Sequence, residues 1–134
     1  MNNSITKLKE LAKKASLNAY APYSKFKVGA AFETDSGDVF TGCNIENLAF
    51  PSGICAERTA IFKGISELGP SMKIKTLAVY TATKKVTTSC GACRQVMNEF
   101  ALPDTRIICV CDTDTFLDIA FSDLLPKPTE IDGL

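Results

Sequence analysis

The chain has 134 residues, 46% of them apolar, and its 15 Lys plus Arg balance 15 Asp plus Glu to a formal net charge of zero. That length predicts a single domain over residues 1–134 that buries roughly two-thirds of its unfolded surface, and the even charge excludes the basic footprint of a nonspecific nucleic-acid binder. The opening residues Met1-Asn2-Asn3-Ser4-Ile5-Thr6-Lys7 lack the apolar core of a secretory signal, and no apolar run approaches the ~20 residues of a membrane span. The expectation is a cytoplasmic protein with no membrane or nucleic-acid partner, whose six cysteines stay reduced.

In chain order, Ile5, Leu8, Ala12, Ala15 and Ala19 recur at three- and four-residue steps. They predict an amphipathic helix with Ser4 as its N-cap, ended by Pro22 shortly after Tyr20. Phe26 to Phe32, the turn signal Ser36-Gly37-Asp38 and Val39-Phe40-Thr41 predict a β-hairpin. A turn-rich loop, Asn44 to Gly53, leads into the helical spacing of Ala60, Ile61, Gly64, Ile65 and Leu68, closed by Gly69-Pro70. Ile74 to Ala82 reads as a strand, and Cys93, Val96, Met97 and Phe100 as a helix stopped before Pro103. Ile107-Ile108-Cys109-Val110-Cys111 is continuously apolar, as in a strand covered on both faces. An extended piece at Phe116 to Ala120 and a short helical turn at Ser122 to Leu125 complete the core. The order helix-hairpin-helix-strand-helix-strand predicts an α/β fold with helices packed on a mixed sheet.

Chemistry concentrates in two motifs, Cys55-Ala56-Glu57 and Cys90-Gly91-Ala92-Cys93, in a chain without histidine. Together they offer a divalent metal three thiolates and no fourth protein ligand, the pattern of a catalytic zinc site that keeps one position open. A zinc ribbon needs a second Cys-x-x-Cys pair, which is absent, and a thioredoxin-like site leaves Cys55-Ala56-Glu57 without a purpose. Both motifs are placed at helix starts, where unpaired N–H groups favour thiolate over thiol. Residues two apart on a regular helix diverge by about 200°. Cys55 is therefore expected at or just outside the first turn, so that Glu57 reaches the water that the metal activates.

Glu57 is read as the proton shuttle between that water, the substrate and the leaving group. Arg58 is read as a donor to the ligand sulfurs that offsets their negative charge; taken singly, it is also an ordinary solvated arginine. Cys43, Cys109 and Cys111 read as small buried hydrophobes. An amide and a carboxylate two apart on an extended segment, Asn44 and Glu46, suit a sugar hydroxyl, although both are also common loop residues.

Cys55-Ala56-Glu57-Arg58 and Cys90-Gly91-Ala92-Cys93-Arg94-Gln95-Val96 follow Ala21-Pro22-Tyr23-Ser24-Lys25-Phe26-Lys27-Val28-Gly29-Ala30-Ala31 and Thr41-Gly42-Cys43-Asn44-Ile45-Glu46-Asn47. In these four ordered motifs the chain resembles the small homotetrameric cytidine deaminases, from about residue 5 to Pro126. The resemblance implies a three-layer α/β/α sandwich with a five-stranded mixed sheet, and a homotetramer whose subunits complete one another's active sites. It also implies one Zn2+ per subunit on Cys55, Cys90 and Cys93, attack of hydroxide at carbon 4 of a pyrimidine nucleoside, proton transfer by Glu57 and loss of ammonia. By the same resemblance Asn44 and Glu46 bind the ribose 3′-hydroxyl, Phe26 lies beside the base, the Ala56 N–H meets the carbonyl at carbon 2, and the Thr88 carbonyl receives the amino group.

Three departures accompany the likeness. Thr88-Ser89-Cys90 stands where the family has Ser-Pro-Cys, Phe50 where it commonly has tyrosine, and Leu124-Leu125-Pro126 continues as Lys127-Pro128-Thr129-Glu130 without the usual phenylalanine. The leading expectation is deamination of cytidine and deoxycytidine in pyrimidine salvage. The alternative keeps the chemistry on a modified cytosine nucleoside or a nucleoside antibiotic. A non-enzymatic zinc-stabilised module would be indifferent to loss of Glu57, and a nucleic-acid editor would need a basic groove.

Overall fold

A computed structural model describes residues 3–134, in which a five-stranded sheet separates one helix from three others. The chain runs through α1 (Asn3–Ser16), the hairpin β1 (Val28–Thr34) and β2 (Val39–Cys43), α2 (Ala56–Leu68), β3 (Ile74–Thr81), α3 (Gly91–Phe100), β4 (Ala101–Val110), β5 (Phe116–Ala120) and the short α4 (Phe121–Leu124). The strand order is β2-β1-β3-β4-β5. Only the central pair β3 and β4 is parallel; every other pairing is antiparallel. This is the mixed sheet and three-layer arrangement that the resemblance implies.

Alternation along the strands decides what each layer buries. One face sends Ala30, Phe32, Leu77, Val79, Ile107 and Cys109 toward α2 and α3, where Ala56, Ala60, Ile61, Cys93 and Met97 close the larger core. The other face sends Ala31, Ala78, Tyr80, Ile108 and Val110 toward Leu8 and Ala12 of α1. Strands covered on both faces have no polar side to show, which is why the second half of β4, Ile107 to Val110, reads as an uninterrupted apolar run.

Two glycines set the helix positions. A Cβ on Gly29 would lie 1.8 Å from the Ala12 carbonyl oxygen, so glycine lets α1 rest on β1. A Cβ on Gly42 would lie 2.5 Å from the Ala60 nitrogen and 2.7 Å from the Ala56 carbonyl oxygen, so glycine lets the first turn of α2 press onto β2. The second contact fixes the turn that carries Cys55 and Glu57.

Beyond shifts of one or two residues, such as β1 beginning at Val28 and not Phe26, three boundaries differ from the sequence expectations. Ser4 lies inside α1, which begins at Asn3, and does not cap it. The same helix ends at Ser16, four residues before Tyr20, because the amides of Leu17, Asn18 and Ala19 turn back in tight i−3 bonds and Tyr20 is drawn into a parallel bridge with Ile45. Tyr20 N–H donates to the Asn44 carbonyl at 3.0 Å, and Glu46 N–H donates to the Tyr20 carbonyl at 2.8 Å. The strand expected over 107–111 begins directly after α3 and spans Pro103. A register irregularity opposite Ile74 absorbs the proline, and Thr105 Oγ1 donates to the Ile74 carbonyl at 2.5 Å while accepting from Leu102 N–H at 2.7 Å.

Candidate active site and metal centre

Cys55 is the N-cap of α2, in extended backbone with φ −77° and ψ 156°, and Cys90 is the N-cap of α3 with φ −68° and ψ 167°. Cys93 lies in the first turn of α3, fully buried. The two helix starts bring the three Sγ atoms within 4.8 Å of one another, and Cys55 Sγ is 3.8 Å from Cys90 Sγ. Tetrahedral zinc with Zn–S bonds near 2.3 Å spaces its sulfurs by about 3.8 Å, so the cluster fits the ion in spacing and in donor chemistry. It is the one such cysteine group among the described residues.

Charge around the sulfurs follows from their neighbours. A hydrogen bond from the Cys93 thiol, with Arg58 and Cys90 adding to it against desolvation, lowers Cys55 to about 5. The same bond, together with burial, pushes Cys93 up, as befits the partner that keeps its proton. Arg58 Nη2 donates to Cys55 Sγ at 3.4 Å. The sulfurs of Cys55 and Cys93 in turn hold the guanidinium above its ordinary range. The arginine predicted to offset the thiolates is therefore in contact with one of them.

Glu57 is 4% exposed, and burial is the main reason its carboxyl is raised above the ordinary carboxylate range. Cys55, placed outside the regular turns, leaves Glu57 free to share its cleft, as the angular argument requires. The Ser89 hydroxyl, on a residue 4% exposed, faces the Glu57 carboxyl. It makes no hydrogen bond of ordinary geometry among the described residues.

Cys55, Glu57, Arg58 and Cys90 open onto a cleft of about 710 Å³, within the range of small-molecule sites. Phe26, Asn44, Glu46, Ala56 and Thr88 all line it with Glu57. Asn44 and Glu46 do more than the sequence suggests. Asn44 Oδ1 accepts from Val28 N–H at 2.8 Å, and its Nδ2 donates to the Phe26 carbonyl at 2.7 Å. Glu46 Oε1 accepts from the amides of Tyr23 and Ser24 at 3.0 and 3.1 Å. Ser24 holds the Glu46 carboxyl below its usual range. The pair thus latches residues 23–28 across the cleft and brackets Lys25, whose φ of 60° is left-handed.

Sequence reasoning assigned no role to Arg94, which binds the segment before Cys90; its place one residue after Cys93 was the available signal. Nor did it foresee Tyr23, whose ring meets Phe50 edge-on at 5.9 Å on the cleft wall. Cys109 and Cys111 are buried and form no further cysteine cluster among the described residues. Burial pushes Cys109 up to about 11, and the Cys111 thiol donates to the Thr115 carbonyl at 3.4 Å.

The model of the cytidine and deoxycytidylate deaminase zinc-binding region matches residues 2–111, and the chain belongs to that family. Within it, the named relatives are cytidine deaminases. The cytidine deaminase of Sporosarcina psychrophila is 50% identical over 96 residues, 72% of this chain and 69% of that one. That of Halalkalibacterium halodurans is 44% identical over 108 residues, 81% of this chain and 80% of the relative. Among solved structures, the cytidine deaminase from Burkholderia pseudomallei superposes with a TM-score of 0.88 at 40% identity, covering 96% of this chain and 100% of its own. The Mycobacterium tuberculosis enzyme does so at 0.82 and 33%, covering 97% and 100%. No helix among the described residues is long and apolar enough to cross a membrane.

Proposed function

We propose that this single domain catalyses the hydrolytic deamination of cytidine and deoxycytidine to uridine and deoxyuridine, releasing ammonia, in cytoplasmic pyrimidine salvage. The observation that carries the reading is a three-sulfur cluster, two of whose cysteines share the wall of one cleft of nucleoside size with a buried carboxylate. The names of the relatives agree with it.

Cys55, Cys90 and Cys93 would hold one zinc ion per subunit through their Sγ atoms. When bound, zinc supplies the Lewis acidity that makes water nucleophilic near neutral pH. The Glu57 carboxylate accepts the proton that water loses on attacking carbon 4 and delivers it to ring nitrogen N3. It then carries the second proton of that water to the amino group, so that the oxygen stays on carbon 4 and ammonia departs. Burial strengthens Glu57 as a base by moving its pKa toward the working pH. Arg58 Nη2 draws charge from Cys55 Sγ, which keeps a three-thiolate centre acidic enough for this work.

Recognition falls to the rest of the cleft. The Ala56 N–H, unpaired at the start of α2, meets the base carbonyl at carbon 2; the Thr88 carbonyl receives the amino group; Phe26 lies against the ring. Asn44 and Glu46 take the ribose 3′-hydroxyl with the capacity left beyond their backbone bonds. An amide nitrogen carries two hydrogens and a carboxylate about four acceptor sites. The assembly is a homotetramer with shared sites. Its support is the exposed apolar cleft wall, where Phe50 is 74%, Tyr23 46% and Ile45 43% exposed, the kind of patch that a second copy covers.

Zinc content per chain, ammonia release from cytidine and native mass test the proposal together. Glu57→Gln should keep the metal and lose at least ~10²-fold in turnover. A fully active Glu57→Gln protein, or full activity after exhaustive chelation, overturns it.

A further inference from the structure

Arg94 lies in the first turn of α3, one residue past Cys93, and is half-buried. Its guanidinium makes three hydrogen bonds in three directions. Nε donates to the Ser89 carbonyl at 2.8 Å, Nη2 to Thr88 Oγ1 at 3.1 Å, and Nη1 to the Leu124 carbonyl at 2.8 Å. The first two partners belong to residues 86–90, which have no regular secondary structure yet place Thr88 and Cys90 on the cleft wall. The third is the last residue of α4, at the opposite end of the fold's sequence.

Nothing else in the segment stiffens it by covalent means. From Ala82 to Cys90 there is no proline, and Thr87-Thr88-Ser89 is a run of small polar residues whose ordering costs conformational entropy. Ser89 is nearly buried, so releasing the guanidinium either strands a carbonyl away from water or opens the segment. A planar fork with five donors can hold three acceptors at once; a lysine cannot match that geometry.

We propose that Arg94 is a positioning residue: it fastens the Thr88–Ser89 wall of the cleft to the end of α4, and so sets where the substrate's base sits relative to Cys90 and Glu57. The inference deepens the function proposed above and rests on it for the substrate. Arg94 touches no reacting atom in this scheme. Its loss should therefore show first in how well substrate is held, with the metal retained.

The test compares Arg94→Gln and Arg94→Lys, each alone and combined with Ser89→Pro or Ser89→Ala, in the full zinc-loaded protein. Backbone 15N order parameters at Thr87 and Thr88 should fall from about 0.85 to below about 0.6 in Arg94→Gln, with Arg94→Lys between and Cys90 held by the metal. KM for cytidine should rise about tenfold, and zinc per chain should be unchanged. Ser89→Pro, which locks φ through its ring, should restore order and most of the KM in the Arg94→Gln background, whereas Ser89→Ala should restore neither. Unchanged order in Arg94→Gln, or equal effects of proline and alanine at 89, overturns the proposal. Failure of the unsubstituted protein to deaminate cytidine overturns the functional reading instead, and the order parameters still decide the clamp.

Discussion

Cys55, Glu57, Cys90 and Cys93 stand at the starts of two helices packed on the sheet, whereas Tyr23 to Lys27 and Ile45 to Ala49 are loops, followed by a single 3-10 turn that Phe50 opens, at the rim of the cleft. On the first side the backbone is fixed by close packing, as at Gly42, and Arg58 donates to Cys55 Sγ. On the second, side-chain bonds from Asn44 and Glu46 latch exposed backbone, and aromatic rings face solvent. In the function proposed, chemistry that needs sub-ångström placement would reside on rigid elements, and recognition would be left to parts that substrate or a second subunit can complete.

The comparison breaks most severely if the metal side tolerates change. Cys93→Ala should abolish zinc retention, measured by metal analysis, and take cytidine turnover below detection. A metal-replete, active variant would mean that the sulfurs do not act as ligands. Arg58→Gln comes next, with an expected loss of ~10–100-fold in activity or metal affinity and a circular dichroism spectrum like that of the parent. An undiminished rate would reduce the sulfur contact to surface packing.

The rim should respond more gently and in a different parameter. Asn44→Ala removes the latch on Phe26 and Val28 and is expected to raise KM about tenfold, equivalent to roughly 1.4 kcal/mol, with kcat much less affected. A kcat defect at constant KM would move Asn44 to the chemical side of the comparison. Phe50→Ser, the smallest effect on the subunit itself, should change its unfolding free energy by less than about 0.5 kcal/mol while lowering the assembled mass seen by light scattering. An unaltered mass would show that this ring covers no neighbour.

Much of the site was legible because its logic is local. Cys55 and Glu57 are two residues apart, Cys90 and Cys93 three, and the helix starts that carry them follow from short-range apolar spacing. Arg58 was legible for the same reason, being three residues from the sulfur it meets. Asn44 and Glu46 line the cleft, and their backbone bonds are not legible in the sequence, since the partners lie 16 to 23 residues away. The end of α1 was misplaced because helical spacing continues to Ala19 while the backbone of Tyr20 finds better partners on Asn44 and Glu46.

The sequence by itself determined the order of elements, the sulfur donors and the acid beside them, because periodicity and close spacing act within a few residues of chain. Only the tertiary structure decided that the two cysteine motifs meet, that β4 absorbs a proline, and that Arg94 ties the wall before Cys90 to a carbonyl 30 residues further on. Each of these satisfies a polar or metal-binding group with a partner remote in the chain. Such partners exist only once burial has closed the alternatives offered by water.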